Sequence, residues 1–205
     1  MAKNQYHHGN LRQALIARAV EIIDKEGIEA LTLRGLARDL GVSHGAPNRH
    51  FRNKQELLAA LATEAYEQAE QSTIAAVERA GDNPIVKLNA IGRGYIRWAL
   101  DNRALFNVMN HPDIKRSADS ALLTTMRRFQ LKVRAASIEA QQAGRYPDTD
   151  SRLLALFNNS VPFGAVQLID HPVFAAEIDH IPRDELIEQL MELVVPVKPL
   201  VEAAE

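Results

Sequence analysis

No cysteine occurs anywhere in the 205 residues. Disulfides, thiol nucleophiles and metal sites built on thiolates are therefore excluded, and the composition fits a reducing compartment. Long apolar runs are missing as well: Arg, Lys, Glu or Asp interrupts every candidate stretch before it reaches the roughly 20 residues of a membrane span. The opening residues, Met1 to Asn10, contain no apolar core of a secretory leader. A soluble, cytoplasmic protein with no membrane contact is expected. There is no internal repeat, no low-complexity tract, and no pair of strand-like runs joined by hairpin chemistry.

Reactive constellations are equally scarce. Histidines stand at 7, 8, 44, 50, 111, 171 and 180. None belongs to the helical histidine–glutamate spacing of a zinc hydrolase, nor do two Glu-x-x-His motifs pair as in a di-iron bundle. No phosphate loop or dinucleotide fingerprint is present. His111 and His171 each precede a proline and read as turns. The expectation is a protein that is not an enzyme and has no cofactor or metal.

What is present is enough apolar material for a core, 46% of the chain, under a net charge of only −2. The charge is unevenly placed. Through Lys54 there are nine Lys and Arg against five Asp and Glu, a net of +4; the remainder has fifteen against twenty-one, a net of −6. A mildly basic head on an acidic body suits nucleic-acid contact at one end only.

Helical periodicity dominates, and the fold class it implies is all-α. Leu11, Leu15, Ala19, Ile22 and Ile23 recur at spacings of three and four, between a cap at Asn10 and a stop at Gly27. Thr32 opens a short helix over Leu33–Leu40, ended by Gly41. Ser43 is expected to cap a third, very short helix through about Phe51, with Pro47 near its first turn. Asn53 followed by Glu56 forms a capping box for a fourth helix running to about residue 80. Gly81-Asp82-Asn83-Pro84 is the clearest break. Further helices are expected over Ile85–Asp101, Arg103–Met109 and Lys115–Ala143. A helix capped by Thr149 or Asp150 runs to about Ile169, and the last runs from near Pro182 to about Pro196–Pro199.

The segment from Gly27 to Leu58 carries the function. Two short helices meet at a tight turn containing Gly41, and the small Ala37 lets them approach closely. Leu36, Leu40, Val42 and Phe51 are apolar and lock the pair onto its neighbours. That leaves His44, Gly45, Asn48, Arg49 and His50 facing outward, on a unit small enough for a major groove about 12 Å wide.

With Gly27, Thr32, Leu36-Ala37, Gly41-Val42-Ser43, Phe51 and Lys54-Gln55-Glu56-Leu57 in place, the stretch resembles the TetR family of bacterial repressors over about residues 8–70. His7-His8-Gly9-Asn10-Leu11 and Gly45-Ala46-Pro47 are similar to one branch of it. Two departures stand out. Asn48 occupies the position where the family usually has a tyrosine, and an amide there can bond a phosphate or read adenine. Gln55 displaces the acidic residue that usually follows the lysine.

The resemblance implies an N-terminal helix-turn-helix domain, residues 1–54, and an effector-binding and dimerisation domain, residues 55–205, with the helix over 54–80 connecting them. It implies that Thr32 and Ser43 cap helices and bond phosphates, and that Arg34 reaches a base edge or the backbone. His44, Ala46 and Asn48 would face bases, with Gly45 allowing close approach. Arg49, His50 and Lys54 would contact phosphates, and Lys3 in the polar arm would follow an adjacent groove. The implied partners are a palindromic double-stranded DNA operator, a small-molecule effector and a second copy of the chain. Two heads must meet half-sites about 34–36 Å apart.

The homodimer is expected through the two long C-terminal helices. Leu153, Leu154, Leu156 and Phe157 lie on one, and Leu186, Leu190, Leu193 and Val194 on the other. Candidate effector-binding residues are Trp98, Phe106, Met109, Met126, Phe129, Phe157, Asn158 and Phe163, and most such residues on bundle helices are plain core. The branch's effector domain carries a tryptophan, a histidine and a glycine close together. Here Asn159-Ser160-Val161-Pro162-Phe163-Gly164 keeps only the glycine, so no ligand class carries over. Two rivals remain: a helical adaptor without DNA binding and, more remote, a helical-bundle enzyme.

Overall fold

The structure, a computed structural model, describes residues 11–195. The N-terminal arm with Lys3, the Asn10 cap and the expected end of the last helix at Pro196–Pro199 lie outside the described residues. Among the described residues there are ten α-helices, two short 3-10 segments and no strand. The helices are α1 (Leu11–Glu26), α2 (Leu33–Asp39), α3 (Lys54–Glu78), α4 (Pro84–Asp101), α5 (Arg103–Asn110), α6 (Pro112–Arg116), α7 (Ser120–Gln142), α8 (Ser151–Ile169), α9 (Pro172–Ile178) and α10 (Arg183–Val194).

The chain forms two compact units. One comprises Met1–Ala65 and Asn102–Thr124, the other Tyr66–Asp101 and Thr125–Glu205. In the first, α1 buries Leu11, Leu15, Ile16, Ala19, Ile22 and Ile23, the stripe its periodicity marks. It packs on α2 and on α5. Leu31, Leu36, Ala37, Phe51, Leu57 and Leu61 complete that core together with Phe106, Val108 and Met109 from α5. Each fully buried Leu, Ile, Phe or Met side chain contributes about 1.5–3 kcal/mol relative to exposure.

The turn after α2 follows the Schellman pattern. Gly41 has φ +65, its N–H donates to the Arg38 carbonyl (3.2 Å), and the Val42 N–H donates to the Ala37 carbonyl (3.0 Å). A left-handed residue at this place needs glycine, because a Cβ would crowd the following carbonyl.

The second unit takes the remainder of α3 with α4, α8, α9, α10 and most of α7. Here α4 packs on α8 and on α10. The carboxyl end of α10 leaves carbonyls without helical partners, and two side chains answer them. Asn89 Nδ2 donates to the Met191 and Val195 carbonyls, both at 3.0 Å, and the buried Arg145 guanidinium donates to the Val194 carbonyl.

Several element boundaries differ from expectation. The expected Lys115 start of the long helix is replaced by α6 and a fresh start at Ser120, because the Asp119 carboxylate accepts the Leu122 N–H at 2.8 Å and caps α7. His111-Pro112 and His171-Pro172 do not simply break the chain. Each begins a short helix, with proline at the first position and the histidine Nδ1 accepting a backbone N–H two residues on. Proline is pre-set for that first position and lacks only an N–H that would have had no partner. The capping box at α3 is shifted: Asn53 Oδ1 accepts the Glu56 N–H, but Glu56 Oε2 accepts from Arg52 N rather than from Asn53.

Candidate nucleic-acid interface

The segment after Gly41 is not the short α-helix expected from Ser43 to Phe51. Residues 44–46 form a turn, closed by the Ala46 N–H on the Ser43 carbonyl (2.9 Å), and a 3-10 turn over Pro47–Arg49 follows. The cause lies in Pro47. It has no N–H to give to the Ser43 carbonyl, and Gly45 adds its own cost to any helix. No side-chain capping bond from Ser43 is present among the described residues, so the expected cap role does not form. Thr32 does cap: its hydroxyl accepts the Gly35 N–H at 3.0 Å.

Burial decides which residues of this segment face out. Pro47 and Phe51 are buried, and Ala46 and His50 are half-buried. The His50 and Phe51 N–H groups both donate to the Pro47 carbonyl at 2.9 Å. Ser43, His44, Gly45, Asn48 and Arg49 are exposed. The segment is thus pinned by its inner residues and presents a polar outer edge.

The cations of the first unit fall into two groups. Arg18 donates to Asp39 through Nε (3.0 Å) and Nη2 (2.8 Å), and to Glu21 (2.6 Å). The Arg18 hydrogen bond holds the Asp39 carboxyl below its ordinary value. Arg52 sits 3.8 Å from Glu56, and Lys54 lies 3.4 Å from the Glu29 carbonyl and 3.9 Å from its carboxylate. By contrast, the Arg34 and Arg49 side chains are exposed and have no ion pair or hydrogen bond among the described residues, and the same holds for the side chains of His44 and Asn48. One cation escaped the sequence reading. The Arg12 guanidinium lies over the Phe51 ring, 5.3 Å from its centroid, and so is held beside the outward segment. The signal was available only in space, since 39 positions separate the two in the chain.

The expected effector residues divide between the units. Phe106 and Met109 are core of the first. Trp98 and Phe129 are buried in the second, Met126 is half-buried there, and Phe157 and Phe163 are exposed on α8. Around Trp98 the second unit gathers Tyr95 (6.3 Å between centroids) and, beyond it, Phe129 (6.2 Å) and Tyr66 (6.0 Å from Phe129). Burial pushes the Tyr66 phenol up to about 12, so it stays neutral. Tyr66 and Tyr95 were absent from the expected set, although Tyr95 stands three residues before Trp98 on one helix face. Asn158 is 7% exposed; its Nδ2 donates to Ser137 Oγ at 2.8 Å and its Oδ1 has no partner.

On α8, Leu154, Asn158, Pro162 and Val166 are buried, a stripe with a spacing of four. Leu153 (62% exposed), Leu156 (65%), Phe157 and Phe163 stand outside it, and on α10 Leu193 is 78% exposed. Of the expected dimer-facing residues, Leu154, Leu186 and Val194 are therefore spent on the protomer's own core, and Leu190 is half-buried. No helix is long and apolar enough to cross a membrane, and no group of three His, Asp or Glu able to hold a metal ion occurs, both among the described residues.

An all-helical chain whose head joins two short elements through a left-handed glycine, and exposes a polar edge beyond it, is a helix-turn-helix protein. The family model for bacterial regulatory proteins of the tetR family matches residues 15–61, so the head of the chain carries that family's N-terminal pattern. The class C tetracycline repressor protein of Escherichia coli is 49% identical over 51 residues, 25% of this chain. The match spans only 23% of that repressor's length. A solved protein of unknown function from Rhodococcus sp. RHA1 is 31% identical, with a TM-score of 0.76, over 94% of this chain and 97% of that one. AibR, 16% identical, shares the fold at a TM-score of 0.72 over 90% of this chain and 98% of its own.

Proposed function

We propose that this protein is a cytoplasmic one-component repressor. It binds a palindromic operator as a homodimer and releases it when a small molecule occupies the second unit. The observation that carries the reading is the outer edge of residues 43–51. Its polar side chains have no internal partners, while Pro47 and Phe51 are buried and hold the segment in place. His44, Ala46 and Asn48, with Gly45 for close approach, then face bases in the major groove. Thr32, Ser43, Arg49, His50 and Lys54 lie on the phosphates, and Arg34 reaches a base edge or the backbone. For Lys54 this requires exchanging its weak, exposed contact with Glu29 for a phosphate. On this reading residues 1–54 are the DNA-binding part and residues 55–205 the effector and dimer part. The uninterrupted helix α3 belongs to both compact units and carries effector occupancy to the head as a population shift.

The effector is a molecule with an apolar body and at least one hydrogen-bond donor. The aromatic group of Tyr66, Tyr95, Trp98 and Phe129 offers ring surface, and Asn158 Oδ1 is a buried acceptor left unanswered by the protein. AibR, of the same fold, was crystallised with isovaleryl coenzyme A and operator DNA. The second copy docks on the exposed apolar residues of α8 and α10.

The test is titration of a duplex carrying the gene's own upstream region at several salt concentrations. A log–log decline of affinity with salt, two protomers per duplex, and loss of binding on addition of the effector are expected. A protein that ignores every duplex at low salt would overturn the reading.

A further inference from the structure

Resting on the reading that residues 43–51 enter the major groove, we propose that Asn48 reads an adenine in each operator half-site. Two features of the segment support this, and they are independent of each other. The first is the state of the Asn48 side chain. It is exposed, next to the buried Pro47 that anchors the segment, and its amide has no hydrogen-bond partner among the described residues. An unengaged amide presents a donor and an acceptor side by side. On the major-groove edge of adenine, N7 accepts and the N6 amine donates, so the two groups match in a bidentate pair. Guanine offers two acceptors at the same places and would leave the amide oxygen against another oxygen.

The second feature is Gly45. It stands three residues before Asn48, exposed in the turn that leads into the 3-10 segment. The fold supplies no internal reason for glycine there. Its φ is not left-handed, and a Cβ built on it would meet nothing within 4 Å. The missing side chain instead leaves bare backbone beside Asn48, so the surface of a duplex can come close. That closeness is what a short asparagine needs to reach a base edge rather than a phosphate. His44 and Arg49 flank this bare strip, and the Arg49 cation suits the backbone beside it.

The experiment selects duplexes from a random pool with the whole protein and then measures affinities on the winning operator. Each conserved adenine is replaced in turn by guanine, by 7-deazaadenine, which lacks N7, and by purine, which lacks the N6 amine. At one symmetric pair of positions the wild-type protein should lose about 5- to 150-fold against guanine, and less for each single-atom deletion. Asn48→Ala should lose that discrimination and keep its salt dependence. The near-isosteric Asn48→Asp should also lose the adenine preference, since it has no donor. If Asn48→Ala weakens all sequences alike and leaves the adenine preference intact, Asn48 touches phosphate and the inference falls while DNA binding stands. If the wild-type protein retains no duplex at low salt, the DNA-binding reading itself falls and takes this inference with it.

Discussion

Ser72 and Gly94 hold α3 and α4 at close quarters: the Ser72 hydroxyl donates to the Gly94 carbonyl at 3.0 Å, and a Cβ on Gly94 would lie 2.9 Å from the Ser72 carbonyl oxygen. The same Cβ would press on Ala76 and on the Thr73 backbone. These are backbone and short side-chain atoms that cannot swing aside. Gly94→Ala should therefore force the two helices apart, with a loss of about 1–3 kcal/mol. Gly92→Ala is the contrast. Its Cβ would collide only with the Met191 thioether, the mobile end of an adaptable side chain. Thermal unfolding of both variants checks this, and equal losses would mean that the α3–α4 crossing yields more easily than the geometry indicates.

The legibility of the chain follows from which interactions are local. The α1 stripe, the Thr32 cap, the Gly41 turn and the Asp150 cap are settled within a few residues, and each stands as its pattern implied. The form of the segment from Ser43 to Phe51 differs from its pattern because one residue, Pro47, shifts the bonding from helical to 3-10; His44, Gly45, Asn48 and Arg49 are exposed as expected, whereas His50 is half-buried. The packing of α1 on α5 joins positions about 90 residues apart and has no local signature. The same holds for Arg12 over Phe51 and for the Asn158–Ser137 pair. Of the dimer-facing candidates, period alone could not separate Leu153 from its buried neighbour Leu154.

Glu70 gives the second unit a dependence on acid. Its side chain is nearly buried, and it meets Arg128 (3.0 Å to Nε, 2.9 Å to Nη2) and Lys132. Burial pushes its carboxyl up, but the hydrogen bonds and charges of Lys132 and Arg128 together outweigh that and hold it below its ordinary value. A depressed carboxyl contributes stability above its unfolded pKa of about 4.3, and loses it as pH falls through the lower folded value. Glu70→Gln should therefore unfold more easily at pH 7, by about 1–3 kcal/mol for lost hydrogen bonds to charged groups. The gap from wild type should close below about pH 4. A gap that stays constant from pH 7 to pH 3 would remove Glu70 from the acid response.

Gly45 separates stability from recognition. Nothing in the protein lies where its Cβ would go, and its backbone is not left-handed. Gly45→Ala should leave the fold unchanged or firmer by about 0.4–1 kcal/mol, through a less flexible unfolded chain. Operator affinity should nevertheless fall about tenfold or more, because the added methyl stands between backbone and bases. Chemical denaturation and duplex titration on the same preparation check both halves, and an unaltered affinity would place Gly45 away from the groove.

Arg49 is exposed and unpaired among the described residues, so its charge is available without breaking an internal contact. Arg49→Ala should weaken all duplexes roughly alike and lower the magnitude of the salt slope by about one. Arg18→Ala provides the control. Arg18 is already neutralised by Asp39 and Glu21, so its loss should change stability rather than the slope. An Arg49 variant with an unchanged slope would move that cation off the phosphates.

The exposed leucines of α8 provide the test of the proposed homodimer. Leu156 is 65% exposed in the single chain, so replacing it disturbs little of the protomer's core, and a surface change of this kind usually alters stability by no more than about 0.5 kcal/mol. A charge placed there would be buried and unpaired if a second copy covers the face, at a cost of several kcal/mol in association. Leu156→Glu should therefore sediment as a monomer with undiminished helicity. Its operator affinity should drop towards that of a single half-site, because two heads are no longer tethered. Leu193→Glu on α10 should act in the same direction, since that side chain is also exposed. A Leu156→Glu protein that still sediments as a dimer would place the interface on another face of the chain.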